Sequence, residues 1–137
     1  FLFLVFTAPA TTDASLFPYP TLFRSLWRYP QDYAPNTPAQ VLIAGCGTGQ
    51  QALDVASSLS DAEVLAVDLS LSSLAYAQRK THELGMSNIR YAQADIMQLA
   101  SLDTSFDLIE SVGVLHHMKD PAAGWRVLMD LCDPAGS

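Results

Sequence analysis

Positive charge is scarce in this chain. Seven Lys and Arg stand against fourteen Asp and Glu, a formal net charge of −7 over 137 residues. A surface that neutralises phosphates needs the opposite balance, and Arg79–Lys80 is the one adjacent basic pair. The composition therefore argues against nucleic acid as an electrostatic partner. Cysteine is scarcer still. Cys46 and Cys132 fit no CxxC metal or redox spacing, and are read as reduced thiols of a cytoplasmic protein. No apolar run approaches the ~18 residues of a membrane span. The opening Phe1–Phe6 run is short, without a basic flank or Met, and is not read as a signal peptide. Internal repeats and low-complexity tracts are also lacking. What is present is hydrophobic: 50% of residues, with 15% charged. That excludes global disorder and fits one small domain with a sheet buried on both faces.

Residues 1–25 differ from the rest. Pro9, Pro18 and Pro20 interrupt them, charge is confined to Asp13 and Arg24, and no helical or strand period continues. The run Ser15-Leu16-Phe17-Pro18-Tyr19-Pro20-Thr21-Leu22-Phe23-Arg24-Ser25 resembles one translated frame of a short-read sequencing adapter, with Ser15 and Pro20 differing. We expect residues 1–25 to be a non-native leader and 26–40, with Pro30, Pro35 and Pro38, to be a linker.

From Val41 the pattern becomes regular. Val41–Ala44 and Glu63–Val67 are short apolar runs of the kind buried parallel strands show. Ile89–Ala94 and Phe106–Val112 read as strands three and four of this series. Between them, Ala52, Val55, Ala56 and Leu59 recur at helical spacing, as do Leu74, Ala77, Thr81 and Leu84. Ser70 is a candidate N-cap and Gly85 a candidate C′ glycine. Asp120-Pro121 opens a last helix whose inward face is expected to hold Trp125, Leu128, Met129 and Cys132. Strands alternating with helices predict an α/β fold with a doubly wound, Rossmann-like parallel sheet.

The chemistry lies where strands end. Gly45-Cys46-Gly47-Thr48-Gly49 follows one strand and opens a helix. Glycines allow a sharp turn and close ligand approach, and the helix start offers free N–H groups. Asp68, ending the next strand, can accept both hydroxyl protons of a ribose. Together they predict an adenosine-type ligand without saying which. The dinucleotide fingerprint G-x-G-x-x-G is not matched, because position 50 is Gln.

Several segments then resemble, in order and spacing, the class I S-adenosylmethionine-dependent methyltransferases. Val41–Gln50, Ala66–Ser70, Ala92–Ile96 and Phe106–His117 resemble the family's first four motifs. Trp125–Leu128 and Asp133–Gly136 resemble the following helix and turn. Within the family, the match is similar to bacterial domains sometimes joined to tetratricopeptide repeats. The resemblance implies residues 41–137 as the N-terminal part of a methyltransferase domain, with family strands 1–4 present and 5–7 missing. It implies S-adenosyl-L-methionine as cofactor, held by Ala44, Gly45, Cys46, Gly47, Gly49, Asp68, Leu69, Asp95, Ile96, Glu110 and Ser111. Family members commonly carry an acid two residues before the first glycine, where this chain has Ile43.

Methyl transfer from a sulfonium mainly needs alignment, and a base only when the acceptor must lose a proton. His116 and His117 are the candidates for that base, with loop packing as the blander role. Asp107 reads as structural, and His82 as solvated. No metal site is expected. The acceptor, small molecule or protein, is not readable, and a fused helical repeat domain is the one partner the resemblance suggests. The chain alone is expected to be inactive, with its fourth strand an open edge. The alternatives are an NAD-dependent Rossmann oxidoreductase and a non-catalytic adenosyl-binding module.

Overall fold

A parallel sheet forms the middle layer of the computed structural model, which describes residues 2–6, 38–59, 61–112 and 114–132. Its strands are β1 (Leu2–Phe6), β2 (Gln40–Ala44), β3 (Glu63–Asp68), β4 (Ile89–Gln93) and β5 (Leu108–Val112). Helix α1 (Gln50–Ser58) links β2 to β3, and α2 (Leu71–Glu83) links β3 to β4. A 3-10 helix, Ile96–Ser101, precedes β5; another, Leu115–His117, and α3 (Pro121–Leu131) follow it. The spatial order is β1-β5-β2-β3-β4, and every pairing is parallel.

The strand period of two divides the core into two layers. Val41, Ile43, Val64, Ala66, Ile89 and Leu108 pack with Ala52, Leu53, Val55 and Ala56 of α1 and Leu74 of α2. Leu42, Ala44, Val67 and Ile109 point the other way, onto Ile96, Leu99 and Val127, Leu128 and Leu131 of α3. The expected α/β architecture is therefore the observed one.

The helix ends follow local chemistry. Ser70 Oγ accepts from the Ser73 N–H at 3.2 Å. Past the end of α2, Gly85 at φ +69° lets its N–H reach the His82 carbonyl (3.0 Å) and that of Met86 the Thr81 carbonyl (3.2 Å). This is a Schellman closure. Asp120 caps α3 through the Ala123 N–H at 3.1 Å. Asp107 is structural as expected, accepting the Gln40 N–H at 2.8 Å.

Three expectations are corrected. Residues 2–6 form a strand, so the fourth strand of the series, β5, is not an open edge: β1 pairs it from Leu2↔Leu108 to Phe6↔Val112. Trp125 is not core, being 39% exposed, and Met129 is exposed beside it. The inward face of α3 runs instead through Gly124, Val127, Leu128 and Leu131. Leu84 caps α2 and lies exposed rather than in its apolar stripe. The rest of the expected leader and linker up to residue 37, together with Asp133–Ser137, lies outside the described residues.

Candidate functional site

The site forms at the C-terminal ends of β2, β3 and β5, where open parallel sheets hold ligands. The loop leaving β2 turns because Gly45, Gly47 and Gly49 all take positive φ, at +84°, +53° and +91°. The N–H groups of Gly45 and Cys46 both donate to the Val67 carbonyl, at 2.8 and 2.9 Å, which ties the loop to the end of β3.

The three glycines serve different purposes. A Cβ on Gly45 would collide with Val114, and one on Gly49 would lie 2.8 Å from the Ala77 Cβ of α2. Both are required by packing inside the protein. A Cβ on Gly47 would meet nothing within 4 Å among the described residues. Among the described residues, Gly47 alone of the three has room for a ligand over its own backbone.

Asp68 organises this edge. Its Oδ2 accepts the Gly47 N–H at 2.9 Å and its Oδ1 accepts the Ser70 N–H at 2.8 Å. One carboxylate thus fixes the glycine loop and the start of α2. Each oxygen retains a second lone-pair direction, which suits two vicinal hydroxyls. Leu69 and Leu71 beside it are 64% exposed, and Met97 is exposed too, giving an apolar border next to Asp68 and Asp95.

The other expected site residues fall in distinct settings. Ala44 and Cys46 are buried beneath the loop. Burial, reinforced by the negative charge of Asp68, pushes the Cys46 thiol up to about 11, so it is a neutral packing group and not a nucleophile. Asp95 caps the first 3-10 helix, accepting the Met97 N–H at 3.0 Å, while Gln98 closes the reciprocal bond to the Asp95 N–H at 2.9 Å. Ile96 is 5% exposed and belongs to the core below, not to an open surface. His116 and His117 lie in the short helix after β5, with His117 exposed.

Two polar groups on β5 stand out. Ser111 is 1% exposed and its Oγ has no hydrogen-bond partner among the described residues. Burial pushes the Glu110 carboxyl up to about 7, with Asp54 of α1 adding repulsion. No cation among the described residues pairs with Glu110. Among the described residues no group of His, Cys, Asp and Glu is arranged to hold a metal ion. A shallow depression lined by Glu63, Ser87, Asn88 and Arg90 lies at the opposite ends of the strands, away from this chemistry.

A family model described as "Methyltransferase domain" matches residues 41–136. The chain belongs to that methyltransferase family. An uncharacterized protein of Synechococcus sp. is 36% identical over 118 residues, covering 80% of this chain and 28% of the relative. The [4+2]-cyclase SpnF superposes with TM-score 0.65 at 29% identity, over 72% of this chain and 36% of SpnF. Coclaurine N-methyltransferase, solved with N-methylheliamine and SAH, gives TM-score 0.65 at 26% identity, over 72% and 29%. The chain thus spans well under half the length of these relatives.

Proposed function

We propose that this chain contributes the cofactor-holding half of an S-adenosylmethionine-dependent methyltransferase. The observation that carries the reading is the joint Asp68 makes with the Gly47 N–H, which sets an acid beside an open glycine backbone at the sheet's C-terminal edge. The residues fit the group. Asp68 would hold the ribose hydroxyls with its free lone pairs, and Gly47 would leave room for the chain passing over the loop. Leu69, Leu71 and Met97 would border the base, with Asp95 near its polar edge. The buried Ser111 Oγ, unpartnered among the described residues, would supply a polar contact at the end of β5.

When bound, the sulfonium supplies an electrophilic methyl group. The protein's part is to fix its direction and to exclude water. His117, exposed in the short helix after β5, would be the group to take a proton from an acceptor that must lose one. The acceptor itself, whether a small molecule or a protein, is left open by this half of the fold.

Titration calorimetry with S-adenosylhomocysteine and with NAD tests the reading. Binding of the homologue without NAD is the expected result, and NAD binding alone would overturn it in favour of an oxidoreductase. The likeness to a cyclase favours one second reading, an adenosyl-binding module that transfers no methyl group. Binding of the homologue with no methyl consumption in the presence of amine, hydroxyl and thiol acceptors would select it.

A further inference from the structure

Glu110 is a partly buried carboxylate in the sheet, with no cation paired to it among the described residues. Its register partner on β2 is Ile43, and Leu108, two residues before it on the same face, is core. Strand alternation therefore directs Glu110 to the α1 side, at the height of the residue two before Gly45. Among the described residues, the ionisable group that acts on it is Asp54 of α1, an acid that makes its charge more costly still. Its partners across the sheet, Ile43 on β2 and Leu4 on β1, are apolar residues. Folds rarely bury a carboxylate among apolar groups unless something cationic offsets it. None of the described residues does so.

We propose that the Glu110 carboxylate is the anionic contact for the ammonium group on the amino-acid tail of the adenosyl cofactor. The inference rests on the cofactor reading above and extends it to the end of the ligand remote from Asp68. The two acids divide the ligand between them. Asp68, at the end of β3, takes the uncharged diol. Glu110, two strands away and past β2 in the sheet order, takes the charged tail. The glycine loop leaves β2, the strand between them, so a ligand lying across that loop spans both acids. The raised proton affinity of Glu110 in the free protein follows from the same arrangement: the acid waits partly protonated until a cation arrives.

The test compares S-adenosylhomocysteine with an analogue lacking only the tail amino group, by calorimetry on the whole chain. The unmodified chain should bind the analogue about 10- to 100-fold more weakly, the range of a lost charge-assisted hydrogen bond. Glu110→Gln should weaken the homologue by a similar factor and leave the analogue unchanged. Adding Ile43→Glu to Glu110→Gln should recover tight binding of the homologue, because the two positions are adjacent on one face. Titrations near pH 7 in buffers of different ionisation enthalpy should show proton release on binding by the unmodified chain, and none by Glu110→Gln. Equal loss for both ligands in Glu110→Gln, or no discrimination by the unmodified chain, would overturn the proposal while leaving the cofactor reading intact. If the unmodified chain binds neither ligand, the cofactor reading falls and this proposal with it.

Discussion

Gly45 and Gly47 should answer differently to a methyl group. Both hold positive φ, so alanine at either costs about 1–2 kcal/mol of backbone strain. At Gly45 the new Cβ also strikes Val114, whereas at Gly47 it meets none of the described residues. Gly47→Ala is expected to lower the melting temperature modestly and to cut homologue affinity at least tenfold, since the methyl group fills the ligand's side of the loop. Gly45→Ala should lose far more stability, and paired thermal melts and calorimetry read both effects. Glu110 gives a second residue-scale expectation. Its carboxyl is raised from 4.5 to about 7, so between those values the folded chain keeps a proton the unfolded chain has released. The contribution of Glu110 to stability therefore falls as pH rises through that window, by about 3 kcal/mol in all. Urea unfolding at pH 4.5, 6 and 7.5 should show the decline, and Glu110→Gln should flatten it. The sequence made the glycines and Asp68 visible because chemistry and spacing coincide there. It could not show that Gly45 and Gly49 answer to Val114 and Ala77, which are distant in the chain, nor that Ser111 finds no partner among the described residues.

At the scale of elements, Asp68 is a joint between β3, the loop after β2, and α2. Removing its carboxylate strands two backbone N–H groups, those of Gly47 and Ser70. Asp68→Ala should thus cost about 1–3 kcal/mol of stability in addition to weakening cofactor binding by a comparable amount. Chemical denaturation of the ligand-free chain, followed by calorimetry, separates the two losses; unchanged denaturation would show that the joint bears no load. The strands β2 to β5 and the caps at Ser70, Gly85 and Asp120 were legible because each depends on neighbouring residues. The phase of α3 was not. Counting apolar residues selects Trp125 and Met129, but the helix approaches its neighbours through Gly124. A Cβ there would lie 2.6 Å from the Met118 sulfur and 3.0 Å from the Leu115 side chain. A residue without a side chain can define a contact face, and a hydrophobicity count ignores it. The rotation brings Val127 and Leu131 inward and leaves Trp125 at the surface.

For the whole molecule, the outer edge of β5 decides how the chain behaves. Parallel pairing with β1 along five residues shields it. Unpaired, it would be a template for joining another chain. Deleting residues 1–6 is expected to produce self-association, measurable by light scattering on a sizing column; a monodisperse monomer with unchanged melting would show that β1 contributes nothing. The pairing is not legible in the sequence because a short apolar run followed by prolines acquires a strand's geometry only from a partner about a hundred positions away. That separation carries a consequence for time rather than energy. Strands β2, β3 and β4 meet across short connections, whereas the seam between β1 and β5 must close the largest loop in the molecule. It should be the last part of the sheet to zip and the first to breathe. Amide hydrogens along that seam would then exchange with solvent sooner than those buried between β2 and β3, marking the direction in which the fold comes apart.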